Sequence, residues 1–491
     1  MQKWILVVVM FVPIILLTAC SGSADGGAGY GNYRGYRNHS SRGYYGNDTY
    51  ENDDLDLPSN RIVLPEGYLG FPSLHIVSEY DPFDVERDFW HDGVLALSGT
   101  HYDFDHVPLR VRGRGNSTWF RGPEKRPLRL RFPEARTMFA SEYAHRDWVL
   151  VANLFDPSLV RNYSAFYLAR LLDNLDFTPS CHFVHLYVNG GYKGLYQLLD
   201  ERDPSPGRGP LTFDPDPTKS EYLFELDGHL VGWREDEFEL DVDFFVVGEG
   251  EQQRAYDIRY PRQNDWNGHL EYLRDFVQHA HAILQTRDYY AISQVIDIPS
   301  FVDFYLVQEF MKNIDVGEFS VFMTLRGQGD ERRIHFGPVW DFDRSAGNTL
   351  YWTEYGHPHA AIRNYWFRNM LATPEIFDIV ATRWNEINSR RGPISQTINH
   401  IADITSRYEE SFLRNFEVHD HILGQEPGQG PDWFEILPIE VQEIDSFPGQ
   451  IEYLMQWYAG RVWWLDAFFN RRYDWINEWW DDVVDGTYEE D

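Results

Sequence analysis

The stretch FGPVWDFDRSAGN, Phe336 to Asn348, places two aspartates, Asp341 and Asp343, one residue apart among aromatic side chains. A β-leaning apolar run precedes the aspartates, and a Gly-Asn turn follows them. Carboxylates are the hard oxygen ligands that Mg²⁺ prefers, so a metal site is one interpretation. Taken alone, the stretch favours an ordinary acidic turn, and its meaning depends on the sequence around it.

Upstream of this stretch, the apolar helical run PSFVDFYLVQEFMKNI ends just before Asp315. The segments FSVFMTLRG and RRIHFGPVWDFD then predict a strand pair joined by a polar loop. An acid before a hairpin and an acid after it can converge at one end of that hairpin. Protein kinases use this layout, in which one carboxylate orients a hydroxyl and others hold Mg²⁺ against a polyphosphate. Asp315 and Asp341 are therefore candidates for one site.

A glycine-rich stretch, VRGRGNSTWF, lies much earlier, at Val111 to Phe120. A turn of this kind can lay backbone N–H groups over phosphates, and the cations Lys125, Arg126 and Arg129 follow it. It is not a Walker A loop, because no GK[ST] follows and no helix is predicted to begin there. By itself it indicates only a glycine turn between strands.

The composition excludes some classes of partner. The chain of 491 residues has a formal net charge of −34 and is 43% hydrophobic, with ample material for a core. An acidic surface repels phosphate backbones, so general nucleic-acid binding is not expected. The same charge would suit a basic protein partner.

The N-terminus predicts export. Residues 1–20 contain a short apolar run ending in Leu17-Thr18-Ala19-Cys20, which resembles the lipobox of a bacterial lipoprotein signal peptide. Cleavage there would leave a lipidated Cys20 anchored in the cell membrane and facing outside the cytoplasm; the alternative is an ordinary signal peptide. Residues 21–60, rich in Gly, Ser and Tyr, predict a disordered tether. The second cysteine, Cys181, is expected to be a buried small hydrophobe.

The remainder of the chain predicts an α+β fold. Residues 61–205 are strand-rich, with a hairpin turn at Asn189-Gly190-Gly191 and one helix from Asp156 or Ser158 to about Leu172. Residues 206–491 are more helical, apart from the strand pair before Asp341. The expected organisation is thus a β-rich N-lobe followed by a mainly helical C-lobe.

Several motifs occur together and in order: RGRGNSTW, KRPLRLRF, DWVLVANLFDPSLVRNYSAFYLARLL, YVNGGYKGLYQLLDE, EFMKNIDVG and GPVWDFDRSAGN. They resemble the spore-coat protein H (CotH) kinase family over roughly Arg112 to Arg383. The resemblance implies an atypical protein-kinase-like, two-lobed fold. It also implies transfer of phosphate from ATP, with Mg²⁺ or possible Mn²⁺, to Ser or Thr of an exported or coat protein.

The resemblance implies roles for individual residues. Asp315 corresponds to the catalytic aspartate, Asp341 to the principal metal ligand and Asp343 to a second metal ligand. Ser320 stands where a kinase would place a metal-binding Asn. The residues expected to bind the nucleotide come from the glycine-rich strands and from the end of the hairpin: Arg112, Gly113, Gly115, Asn116, Ser117, Lys125, Arg129, Gln197 and Glu201. Arg161 and Asn162 in LVRN are expected to support the site.

Two other functions compete with this one. The first is a kinase-like surface adhesin or structural binding protein without catalysis, which the tether, the many aromatics and Ser320 favour. The second is metal-dependent hydrolysis at Asp341 and Asp343, although no histidine-rich ligand set accompanies that pair.

Overall fold

The computed structural model describes residues 70–491 except for several gaps. These gaps are residues 101–102, 116, 123, 140–143, 203–208, 229–243, 249–252, 262–267, 350–355, 357, 425–436 and 486–491. The predicted signal peptide, Cys20 and the tether lie outside the described residues, as does Asn116.

Seven strands close into a barrel in the order β1-β2-β3-β4-β5-β7-β6. Their bounds are β1 Ser73–Ser78, β2 His91–Ser98, β3 Phe104–Gly113, β4 Leu128–Arg136, β5 His145–Val151, β6 Cys181–Val188 and β7 Gly191–Asp200. β1 and β6 run parallel, and the other neighbours are antiparallel. Closure removes the exposed edges that open sheets must protect.

Alternation along the strands fills this barrel. In β4, Leu128, Leu130 and Phe132 are buried in the barrel core, whereas Arg129 and Arg131 point outward. The hairpin of β6 and β7 turns at Asn189 and Gly190, with φ of 48° and 83°, so its loop is one residue shorter than predicted. Two successive positive φ values match the strand twist, which explains the Asn-Gly pair.

A second sheet of five strands follows, in the order β12-β11-β8-β10-β9. Its strands are β8 Tyr222–Leu226, β9 Phe244–Val247, β10 Arg254–Tyr260, β11 Val321–Arg326 and β12 Arg333–Phe336. The sequence predicted β11 and β12 but not the other three. β8 lies at the centre of this sheet and is buried along its whole length. It pairs with β10 and β11, which come from later parts of the chain.

Two short helices accompany the barrel, α1 Ser117–Arg121 and α2 Arg161–Arg170, and most helices follow it. The later helices are α3 His269–Leu284, α4 Tyr289–Val295, α5 Ile298–Met311, α6 His359–Arg363, α7 Tyr365–Leu371, α8 Pro374–Ile387, α9 Pro393–Arg407, α10 Glu409–Phe416, α11 Ile439–Gln442, α12 Phe447–Phe469 and α13 Asp474–Asp485. None of the described helices is long and apolar enough to cross a bilayer.

The α+β class is confirmed, but the two-lobed organisation is not evident. The β-structure is divided between a closed barrel and a separate sheet, and that sheet lies in the half expected to be mainly helical. One hydrophobic core fills the barrel. A larger core joins α2, the second sheet and the C-terminal helices, and a buried ion pair between Glu309 and Arg461 links α5 to α12 within it.

The predicted start of α2 was wrong by a few residues. The helix begins at Arg161 because Asp156 and Ser158 belong to the preceding turn. The Asp156 carboxylate accepts hydrogen bonds from Ser158 N at 3.0 Å and from Arg161 N at 2.8 Å, so it organises that turn and the first helical residue together. Cys181 is buried, as expected, and burial raises the pKa of its thiol.

Candidate active site

The segment Trp340–Asn348, here called the aspartate loop, is held by hydrogen bonds from three helices. From α2, Asn162 Oδ1 accepts a hydrogen bond from Phe342 N at 2.7 Å, and Arg161 Nε donates to Ala346 O at 3.3 Å. From the end of α5, Met311 O accepts from Ala346 N at 2.6 Å. From α12, the Tyr453 hydroxyl donates to Gly347 O at 3.0 Å. The loop is therefore held by elements far apart in sequence.

The loop also holds Asp341 in an unusual backbone conformation. Asp341 has φ of 65°, in the left-handed region that few residues other than glycine adopt, and Asn313 Nδ2 donates to its carbonyl at 3.1 Å. Asn348 Nδ2 donates to Asp343 O at 2.6 Å. At Gly347, φ is 76° and an added Cβ would lie 2.5 Å from the Trp457 ring, so glycine is required. Such strain persists only where surrounding contacts enforce it, as they do here.

The structure brings three predicted carboxylates together. Asp315 lies in a 3₁₀ turn at Ile314–Gly317, where Asn313 Oδ1 accepts from its backbone N. Burial, followed by the negative charges of Asp341 and Asp315, raises the pKa of Asp343 well above its ordinary value. Burial also raises the pKa of Asp341, although its side chain opens towards solvent, because the surrounding protein displaces part of its hydration. Mutual repulsion of this kind creates a demand for positive charge.

This donor set fits a divalent cation of the Mg²⁺ class. Among the described residues, no group of three or more His, Cys, Asp or Glu side chains is already placed as a complete metal-binding set. Mg²⁺ usually takes only one or two protein carboxylates and completes its shell with waters and substrate phosphates. Asp341 and Asp343 are the side chains that would hold it, and the charge would relieve the repulsion among the three aspartates.

Two arginines without a predicted role, Arg114 and Arg202, face Asp341. Arg114 lies over the Trp340 ring at 5.6 Å from its centroid, and Arg202 lies over the same ring at 5.2 Å. Both guanidinium charges act to lower the pKa of Asp341 against the effect of burial. The signal that could have found Arg114 is its place between Gly113 and Gly115, where the chain turns tightly.

Glu201 and Arg129 connect these arginines to the barrel. The buried Glu201 carboxylate accepts from Arg202 at 2.9 Å and lies 3.6 Å from Arg129 Nε. Burial acts to raise the pKa of Glu201, but the charges of Arg129, Arg202 and Arg114 outweigh it and lower the pKa. The ionised Glu201 carboxylate therefore holds Arg129 and Arg202 by ion pairs.

The glycine-rich stretch differs from the prediction in one respect, since a short helix, α1, begins at Ser117 directly after it. Gly113 passes so close to Trp119 that an added Cβ would lie 2.3 Å from the ring, and Gly115 has φ of 79°. Ser117 is exposed at the start of α1. Arg112 forms a short ion pair with Asp88.

Lys125 occupies an unusual position for a phosphate-binding cation. Its side chain is fully buried, its Nζ has no hydrogen-bond partner among the described residues, and it lies 5.4 Å from the centre of the Tyr196 ring. Burial lowers the pKa of Lys125 to about 7, and the negative charge of Asp156 opposes that effect. Asp156 in turn accepts a hydrogen bond from Arg161 at 2.5 Å. Lys125 therefore lies near the ion pair of Arg161, the residue that also holds the aspartate loop.

Gln197 and Ser320 lie at the margins of this arrangement. The backbone of Gln197 pairs with Val151 on one side and Phe183 on the other, and its Nε2 donates to Leu159 O at 2.9 Å. Its side-chain oxygen is the group left without a partner within the described part of the chain. Ser320 is half-buried directly before β11, with φ of 56°.

The sequence matches the model of one protein family over most of its length. Residues 109–465, well over half of the chain, match the family described as CotH kinase protein. No curated protein matched the sequence. The matched range includes the glycine-rich strands, Arg161, Asp315 and the whole aspartate loop. The chain therefore belongs to the CotH kinase protein family.

Proposed function

We propose that this protein is a metal-dependent kinase that transfers the γ-phosphate of ATP to Ser or Thr side chains of an exported protein. Family membership supports a kinase-like role with ATP and a divalent metal in general. The observation that carries the proposal for this chain is the convergence of Asp315, Asp341 and Asp343, with Arg114 and Arg202 on the Asp341 side.

The chain's own residues would act mainly by position and charge. Asp315 would accept the proton of the attacking hydroxyl, because it is partly exposed and its charge acts on Asp343 from outside the Asp341–Asp343 pair. Arg114 and Arg202 would neutralise phosphate oxygens, and the Trp340 ring beneath both guanidiniums fixes their direction. Asn162 and Asn313 would keep the aspartate loop correctly positioned relative to Asp315 through their hydrogen bonds to its backbone.

A bound divalent cation would supply charge neutralisation at the transferring phosphate. Asp341 and Asp343 would hold it, while Ser320 offers a weaker oxygen ligand than the amide that kinases place there. The Glu201–Arg129 pair would keep cations near the phosphates.

The cellular setting belongs to the same proposal. The lipobox ending at Cys20 supports a lipid-anchored protein at the cell membrane, with its catalytic domain outside the cytoplasm. The net charge of −34 supports a basic, Ser- or Thr-rich protein as the acceptor, since opposite charge accelerates encounter.

The proposal is tested by incubating the chain from about residue 58 onward with labelled ATP, Mg²⁺ and a basic Ser-rich protein. We expect transfer of label to the acceptor by the wild type, and loss of transfer in Asp315→Ala and Asp341→Ala. Transfer that persists unchanged in both variants would overturn the site assignment.

A surface adhesin or structural protein without catalysis is the second candidate, favoured by Ser320 in place of the kinase Asn. A thermal-shift titration with nucleotide, with and without Mg²⁺, separates the two functions. A metal-dependent rise in melting temperature supports the kinase, and no response to nucleotide at any metal concentration supports the adhesin.

A further inference from the structure

Four arginines form a track on the outer face of the barrel, beside the candidate active site. Arg110 and Arg112 of β3 lie opposite Arg131 and Arg129 of β4, so two cross-strand pairs of like charge stand side by side. Their neighbours in the strands, including Leu109 and Leu130, point into the barrel core and direct the arginines outward. Like charges placed directly opposite one another on a sheet are destabilising unless anions compensate them.

A single aromatic ring organises the arginine track. Arg131, Arg112 and Arg110 lie over the ring of Trp90, at 4.8, 5.1 and 5.7 Å from its centroid. Trp90 is half-buried and lies in the segment between β1 and β2, before the range that matches the family. Cation–π stacking holds the guanidinium groups in place while leaving their N–H edges available for hydrogen bonds.

Two carboxylates in this region are each shared between two guanidiniums. Asp147 is shared by Arg131 at 2.7 Å and Arg129 at 3.4 Å, and Asp88 is shared by Arg112 and Arg87. Arg110 lies 3.7 Å from the exposed Asp92. Each guanidinium carries five N–H donors, so Arg110 and Arg131 can pair with these carboxylates and also donate to a bound anion.

Arg112 lies among several other positive charges. Burial first, and then the charges of Arg129, Arg87 and Arg131, lower the pKa of Arg112 to about 10 in spite of Asp88. Its buried Nε has no hydrogen-bond partner in the described part of the chain. In a protein of net charge −34, such a concentration of guanidiniums is a local exception that suits an oxyanion.

We propose that the arginine track binds a phosphorylated Ser or Thr of the protein substrate, so that one phosphate already transferred helps to position the next acceptor. This inference rests on the proposed kinase function. Arg114, beside Asp341, directly follows the end of β3, two residues after Arg112 and four after Arg110. At about 3.3 Å per residue, Arg110 lies roughly 13 Å along the chain from Arg114, about the span of four residues of an extended peptide. The bound phosphate would therefore lie about four residues from the acceptor hydroxyl.

A phosphopeptide fits this surface better than a nucleic acid does. The track is short, covers two strands and is surrounded by an acidic chain, which disfavours a long polyanion. Forked arginine donors match the geometry of a phosphate dianion, which carries more charge than a carboxylate. Exposed aromatic rings at Phe89 and Phe120 flank the track and offer contacts to peptide side chains.

The test is binding without nucleotide, measured by fluorescence anisotropy with labelled basic Ser-rich peptides. One set carries phosphoserine four residues before or after the acceptor Ser; matched peptides carry Ser or Glu at that position. We expect one of the phosphopeptides to bind at least tenfold more tightly than both matched peptides. Equal binding of phosphoserine and Ser peptides would overturn the proposal, and equal binding of the Glu peptide would overturn its phosphate specificity.

The variants use arginines of different exposure. Arg110→Glu should abolish the preference, because it replaces a positive charge of the arginine track with a negative one. The fold should tolerate the change, since Arg110 is one-third exposed and its ion pair with Asp92 is long, at 3.7 Å. Arg131→Gln should reduce the preference, with its melting temperature checked because Asp147 loses a partner. Arg407→Glu, on the exposed face of α9, is the matched control and should keep the full preference.

These outcomes separate the inference from the kinase proposal. Phosphate transfer to unprimed peptide, without any preference for phosphopeptide, would sink the arginine-track inference alone. Preference for phosphopeptide without any phosphate transfer would overturn the kinase proposal. It would also overturn the assignment of the arginine track to a kinase substrate.

Discussion

Asn162 and Phe342 are joined by a hydrogen bond of 2.7 Å, in which the Phe342 backbone N–H donates to the Asn162 side-chain oxygen. The bond links the first turn of α2 to the residue between the two aspartates of the aspartate loop. Asn162 is itself fixed, because its Nδ2 donates to Asn153 Oδ1 at 2.8 Å. The position of both carboxylates therefore depends on a residue that touches neither of them.

Asn162→Ala should lower phosphate transfer by roughly a hundredfold, because small displacements of catalytic groups have large effects. It should also cost about 1–3 kcal/mol in the free energy of unfolding, since the Phe342 N–H loses its buried partner. Transfer rates and denaturant unfolding measure the two effects. Asn385→Ala, on the exposed side of α8, is the matched control and should change neither. Unchanged transfer in Asn162→Ala would show that the loop is held without it.

Lys125→Met should reveal a pH-dependent cost of burying an amine. The pKa of Lys125 is lowered from 10.5 to about 7, so between those values the unfolded chain binds more protons than the folded protein. Stability therefore rises with pH across this window, and the cost is greatest below about pH 7, where the buried amine is charged. The variant should melt a few degrees higher than the wild type at pH 6, and the gain should shrink by pH 9.

Lys219→Met provides the comparison, since Lys219 lies on the surface with its side chain half exposed. Its melting temperature should differ little from that of the wild type at every pH. A gain in Lys125→Met that is the same at pH 6 and pH 9 would mean that Lys125 is hydrated in solution.

Arg114→Gln and Arg202→Gln should each raise the KM for ATP by about tenfold or more, because each removes a charged donor from the Asp341 side of the site. Initial rates over a range of ATP concentrations measure the effect. Arg407→Gln, an exposed arginine paired with Asp403, should leave the KM unchanged. If both site variants retain the wild-type KM, the nucleotide phosphates lie elsewhere.

Ser320→Asn should strengthen metal dependence without loss of stability. Ser320 has φ of 56°, and Asn adopts this left-handed conformation more readily than Ser does. The added amide oxygen would supply the ligand that kinases use, so the Mg²⁺ concentration for half-maximal transfer should fall several-fold. A metal titration of transfer rates measures this. No change in the titration, with a normal melting temperature, would place Ser320 outside the metal shell.

Local sequence patterns correctly predicted the turn of the β6–β7 hairpin and the buried face of β4. Asn189-Gly190 specifies a turn because both residues accept positive φ, and the alternation of Leu and Arg in β4 specifies which side faces the barrel core. The helical periodicity of α3, α8 and α12 needs no information from outside each segment. These features are encoded within a few residues of where they appear.

Features that depend on distant contacts were missed. β8 is stabilised by β10 and β11, which are far away in sequence, so its five residues carry little signal of their own. The importance of Arg114 and Arg202 appears only when the chain brings Trp340 beneath them. The burial of Lys125 was equally hidden, since a lysine in a turn between strands is usually solvated.

The most direct test of the central claim is a crystal structure with a non-hydrolysable ATP analogue and Mn²⁺, whose anomalous scattering locates the metal. The account predicts a metal bound between the Asp341 carboxylate and a phosphate oxygen, with Asp343 in or beside its coordination shell and Arg114 on the phosphates. A nucleotide bound away from the aspartate loop, or a metal without contact to Asp341, would contradict the account.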